Sequence, residues 1–115
     1  MAGNDFIPLT FILDRQTATT AIPQVIPCQD TARDVAITFT SEGTTSGGTL
    51  VIEESDLNPY TGTWSQIGTT VNASAFTGGV KQVYHIRLGA GMFLRVRIAT
   101  TITGGGTATV TCTGA

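Results

Sequence analysis

The stretch YHIRLGAGMFLRVRI, residues 84–98, gathers His85, Arg87, Arg95 and Arg97. His85 is the single histidine of the chain, so nucleophilic or general acid–base chemistry of the Ser-His-Asp or Cys-His kind would have to pass through it. The alternation Tyr84, His85, Ile86 puts that imidazole on the outward face of a strand instead. Glu53 and Glu54 are adjacent, so on a strand they point to opposite faces and cannot work as a paired acid and base. Carboxylates drawn from separate strands could serve glycoside hydrolysis, but no spacing suggests such a pair. Gly89-Ala90-Gly91 starts like a dinucleotide fingerprint. It lacks the third glycine, and a strand follows where a helix must begin. Asp30, Asp34 and Asp56 do not have calcium-loop spacing. One histidine, with Cys28 and Cys112 far apart, makes no zinc pattern. Asn72-Ala73-Ser74 is a formal glycosylation sequon, read as a chance match because no secretory signal accompanies it. No catalytic, metal or cofactor-binding residue is assigned, no cofactor is expected, and the chain is read as a non-enzyme.

What the cluster does suggest is a surface. A three-residue Gly-Ala-Gly turn between two alternating runs reads as a hairpin. If Leu88 pairs with Met92, then Ile86 faces Leu94 and Tyr84 faces Val96, while His85 faces Arg95 with Arg97 diagonal to it. One face of the hairpin then goes to the core, and the other carries the cations outward. Six of the eight acidic residues lie between Asp30 and Asp56, and four of the six lysines and arginines between Lys81 and Arg97. Like charges close together on strands need counter-charges. These come from an acidic strand in the same sheet, from the acidic edge of a neighbouring copy, or from an acidic partner protein. The candidate interface therefore comprises His85, Arg87, Arg95 and Arg97, with Glu53 and Asp56 as the opposing carboxylates.

The elements that must hold these residues are strands, since no window shows a convincing helical period. Val35, Ile37 and Phe39 alternate with Ala36, Thr38 and Thr40. Leu50 and Ile52 share one face of a strand over 49–54. Thr107 to Thr113 alternates threonine with Ala108, Val110 and Cys112. Glycine-rich turns fall at 42–48 and 104–106, and Asn58-Pro59 marks another turn. Short strands spaced by turn signals give the expected fold class: all-β, a single β-sandwich, jelly-roll or immunoglobulin-like, of about 7–8 antiparallel strands. Its inward face should hold Val35, Ile37, Phe39, Leu50, Ile52, Trp64, Ile67, Tyr84, Ile86, Leu88, Leu94, Val96, Ile98, Val110 and Cys112. Pro8, Pro23 and Pro27 cannot donate to a ladder. Residues 1–27 are accordingly expected as an extended N-terminal arm or edge strand, and residues 28–115 as the sandwich domain.

A length of 115 residues means one domain. Charged residues make up only 12%, while threonine supplies 22 positions. This fits either a neutral, threonine-coated β surface or a surface covered by neighbours in an assembly. A net charge of −2 and a pI near 5.0 argue against a dedicated nucleic-acid binder. No run approaches the roughly 20 apolar residues of a membrane helix, and no cationic region precedes the apolar run at 6–13, so neither membrane insertion nor a signal peptide is expected. Cys28 and Cys112 are expected as reduced core residues, with a disulfide between them as the alternative.

The order Leu50-Val51-Ile52-Glu53-Glu54-Ser55, then Gly62-Thr63-Trp64-Ser65-Gln66-Ile67-Gly68, then Phe93-Leu94-Arg95-Val96-Arg97-Ile98 and a threonine-rich last strand resembles small all-β virion structural proteins of tailed bacteriophages. The likeness covers about residues 48–113, and the size is similar to capsid decoration or cement proteins. It implies a homo-oligomer, a trimer for preference, made in the host cytoplasm and located in the virion. Its partner would be the major capsid protein or another virion protein, with the particle stabilised by its binding. No residue-level site carries over. The alternative is a carbohydrate-binding or adhesin-like sandwich, in which Trp64, Tyr60 and Tyr84 would form a platform for sugars.

Overall fold

The computed structural model describes residues 7–28, 31–56 and 63–114. Asp30, Tyr60 and the turn expected at Asn58-Pro59 lie outside the described residues, as do positions 1–6 of the N-terminal segment. The described residues form β1 (Ile7–Gln16), β2 (Ile26–Pro27), β3 (Arg33–Glu42), β4 (Gly47–Ser55), β5 (Ser65–Asn72), 3-10 turns over Ala73–Gly79, β6 (Gln82–Leu88), β7 (Phe93–Thr103) and β8 (Thr107–Gly114). They make two four-stranded antiparallel sheets, in the orders β1-β8-β3-β6 and β2-β7-β4-β5. The fold is all-β and sandwich-like.

Period-2 patterning makes the core. Val35, Ile37 and Phe39 of β3 bury one face, as do Ala108, Val110 and Cys112 of β8 and Leu94, Val96 and Ile98 of β7. Threonines take the other face of β3 and β8, where Thr38 faces Thr111 and Thr40 faces Thr109. Phe39 lies at the centre, edge-on to Tyr84 at 5.4 Å and tilted against Phe76 at 5.8 Å. Burying one such phenylalanine is worth about 1.5–3 kcal/mol. The 3-10 turns close one end of the sandwich. The hydroxyl of Ser41 donates to the Phe76 carbonyl (2.7 Å), and that of Thr45 donates to the Ala73 carbonyl (2.8 Å).

The expected hairpin does not form. β6 pairs with β3, from Arg33 opposite Leu88 to Phe39 opposite Gln82, while β7 pairs with β4 and β2. Gly89-Ala90-Gly91 carries the chain from one sheet to the other. It is tied to a third segment rather than to its own strands: the Gly91 N–H donates to the Cys28 carbonyl at 2.8 Å, and the Cys28 N–H to the Met92 carbonyl at 2.9 Å. Alternation cannot distinguish the two layouts, because a strand crossing to the facing sheet still turns its apolar side to the same core.

Residues 7–27 supply the outer strand of each sheet. β1 pairs with β8, from Ile7 opposite Gly114 to Gln16 opposite Ala108, through three register irregularities. One of them, between Phe11 and Leu13, lets the adjacent Ile12 and Leu13 both reach the core at 2% exposure, which a regular strand forbids. Pro8 sits in another, where its missing N–H costs no ladder bond. β2 is only two residues long and ends in Pro27. Cys28 and Cys112 are buried and free, and burial pushes the Cys112 thiol up to about 11.

Candidate interaction surface

The crossover divides the basic cluster. His85 and Arg87 stand on the outer face of the first sheet, Arg95 and Arg97 on the outer face of the second, so the four do not share one surface.

On the second sheet, Glu53 of β4 lies directly opposite Arg95 of β7, and Arg97 is diagonal to it, opposite Val51. Both guanidinium Nε groups donate to Glu53 Oε1, Arg95 at 2.8 Å and Arg97 at 3.0 Å. The carboxylate is 8% exposed, while the arginines are 26% and 43% exposed. The carboxylate is thus enclosed by side chains on the solvent side of a sheet, and its desolvation is offset by two charge-assisted bonds. The Trp64 ring lies 4.2 Å from Arg95 Cζ. Stacking on one side and Glu53 on the other fix Arg95 in place.

Trp64 was expected to face inward with Ile67. The pairing of Ile67 with Ile52 and of Gln66 with Glu53 fixes the parity of β5, and the indole sits beside Arg95 on the outer face. Residues three apart cannot share a face of a regular strand. Arg95 also lines a groove of about 510 Å³ with Ile22, Pro23, Gln24, Val25, Pro27 and Phe93. Ile22, at 93% exposure, stands open at its rim. The groove joins an apolar wall to one immobilised cation, a combination suited to binding rather than to bond breaking. The sequence signal for it was Ala21-Ile22-Pro23-Gln24-Val25-Ile26-Pro27, where prolines hold apolar residues outside regular pairing.

On the first sheet, Arg87 is opposite Asp34 and pairs with it at 2.9 Å. Both side chains are largely exposed, so the pair contributes little, under about 1 kcal/mol. His85 faces Ala36 and borders a shallow depression of about 320 Å³ with Asp34, Val35, Thr113 and Gly114. Asp56 is exposed, one residue beyond β4. Each arginine of the expected interface therefore has a carboxylate partner within its own chain. Of the residues named for a sugar platform, Trp64 stands on the outer face with Arg95 over one side of its ring, Tyr84 packs on Phe39, and Tyr60 lies outside the described residues.

Among the described residues, no group of three or more His, Cys, Asp or Glu could hold a metal ion, and no helix is long and apolar enough to cross a membrane. No protein family, curated protein or solved structure matches the chain.

Proposed function

We propose that the chain is a structural protein of a virus particle, a capsid decoration or cement protein of the tailed-phage kind that docks on the major capsid protein and stabilises the shell. The observation that carries this reading is the strand order β1-β8-β3-β6 over β2-β7-β4-β5. Antiparallel pairs β1 with β8, β2 with β7, β3 with β6 and β4 with β5 are what a long hairpin gives when it is rolled up, and they favour a jelly roll. An immunoglobulin domain divides its strands four against three and puts its first and last strands in different sheets. Jelly rolls recur in viral capsid and lectin domains, and fold by itself does not choose between them. The surface supports the capsid side of that choice. One face of the Trp64 ring is taken by Arg95, which leaves less of it for a sugar ring. The charged fraction is low, and the groove beside Phe93 offers an apolar seat for a neighbouring protein.

The test is reconstitution. Purified protein added to capsids of the virus that encodes it is expected to bind in a saturable copy number and to raise the temperature at which the shells rupture. Failure to bind capsids, together with saturable binding to a defined oligosaccharide, would overturn the reading in favour of a lectin-like module.

A further inference from the structure

The four sheet edges differ in how they are finished. β1 carries Pro8, three register irregularities and a left-handed residue, Arg15, at φ 53°. β2 has two residues and ends in Pro27. β5 is broken by a bulge containing Gly68 at φ 70°. These are the devices that keep exposed edges from pairing with other chains. β6 has none of them. Its seven residues, Gln82-Val83-Tyr84-His85-Ile86-Arg87-Leu88, contain no proline or glycine and pair with β3 in an unbroken register. Among the described residues, nothing pairs with its other edge.

We propose that β6 is the edge at which two copies of this chain join, antiparallel and strand to strand, about a twofold axis through His85. The inference does not rest on the virion reading. The sequence of β6 is self-complementary in that register. His85 meets His85 of the second copy, Val83 meets Arg87, and Tyr84 meets Ile86. Tyr84 and Ile86 are only partly buried, and Val83 is 48% exposed. The new pairs would cover the apolar side chains with aromatic and β-branched neighbours, the combinations that stabilise adjacent strands. Charge does not oppose the pairing, because Arg87 brings its own counter-ion in Asp34 and faces a valine. A second copy fits better than an acidic foreign strand for the same reason, since the main cation on this edge is already neutralised. Main-chain bonds supply the attraction, as in strand addition generally. The product is a continuous eight-stranded sheet with closed twofold symmetry, a dimer in place of the trimer that the phage resemblance implies.

Sedimentation velocity of the whole chain is expected to show a dimer. Facing residues of an antiparallel pair have Cα atoms about 4.5–5.5 Å apart, within the range a disulfide spans. His85→Cys is therefore expected to form a covalent dimer on mild oxidation, without interference from Cys28 and Cys112, which are 2% and 1% exposed. Leu9→Cys, also on an exposed strand position (β1, 65% exposure), is expected to stay monomeric on reducing-agent-free gels. Val83→Arg, which sets a cation against Arg87 of the second copy, is expected to weaken the dimer at least about tenfold while leaving the fold intact. A monomer at every concentration, a trimer, or a dimer in which His85→Cys does not crosslink would overturn the proposal.

Discussion

Replacing Glu53 by alanine separates the intramolecular from the intermolecular account of the arginines. The substitution removes the one acceptor oxygen shared by Arg95 and Arg97. Arg97, 43% exposed, can turn to water, so its loss is that of a surface pair, under about 1 kcal/mol. Arg95 is 26% exposed and held against Trp64, so its Nε loses a partner where water reaches it poorly. That costs about 1–3 kcal/mol. The total of about 1–4 kcal/mol is a large part of a stability of about 5–15 kcal/mol. For a domain of this size it lowers Tm by about 10 °C. Calorimetry should give wild type the highest Tm and Glu53→Ala the lowest, with Glu53→Gln between them because it keeps an acceptor but not the charge. A double-mutant cycle should give Glu53 a larger coupling to Arg95 than to Arg97. A Tm within about 2 °C of wild type, combined with a change in oligomeric state, would refute the reasoning and return Glu53 to an intermolecular role.

Three further outcomes are expected. Val96→Asp puts a carboxylate at a 0% exposed site and should abolish folding, whereas Ile86→Asp, at the margin of the first sheet, should give a folded but destabilised protein; equal behaviour in chemical denaturation would contradict the assigned core. Removing residues 1–13 takes away Ile7, Ile12 and Leu13 from the core and should leave no cooperative melt, so a well-folded truncation would mean that β1 is dispensable. The unfolded Cys112 thiol ionises near 9.0 and the folded one near 11, so above pH 9 the unfolded chain holds fewer protons and stability falls between about pH 9 and 11, by up to about 2–3 kcal/mol; urea melts of Cys112→Ala across that range should lack this part of the decline, and identical slopes would refute it.

The strands themselves were legible where one face is apolar and the other carries threonine or arginine, as in β3, β7 and β8. Partnership was not. Gly89-Ala90-Gly91 fits a hairpin loop, and nothing in the alternation of Tyr84 to Ile98 says that Cys28 will claim the turn. Trp64 went astray because two residues of opposite parity were assigned to one face. Ile12 and Leu13 reached the core together through a bulge, which depends on the partner strand and leaves no mark on the sequence. Phe76 was hidden by its setting in 3-10 turns, outside any period. Glu53 was singled out for its charge. Its enclosure by two arginines needed the β4–β7 register, which only the assembled sheet supplies.

The position of β8 between β1 and β3 has a consequence for how the protein is made. During synthesis β1 emerges before its partner β8 and stays unpaired until residues 107–114 have left the ribosome. Until then β3 can pair only with β6, so the first sheet remains a two-stranded fragment, too small to be stable by itself. Closure of this sheet is therefore deferred until β8 has emerged and proceeds through contacts between distant parts of the chain, a slow route that leaves apolar strands exposed meanwhile. A ribosome that stalls even a few codons before Thr107 releases a chain with no way to complete the sheet, which makes such truncated products natural substrates for chaperones and proteases.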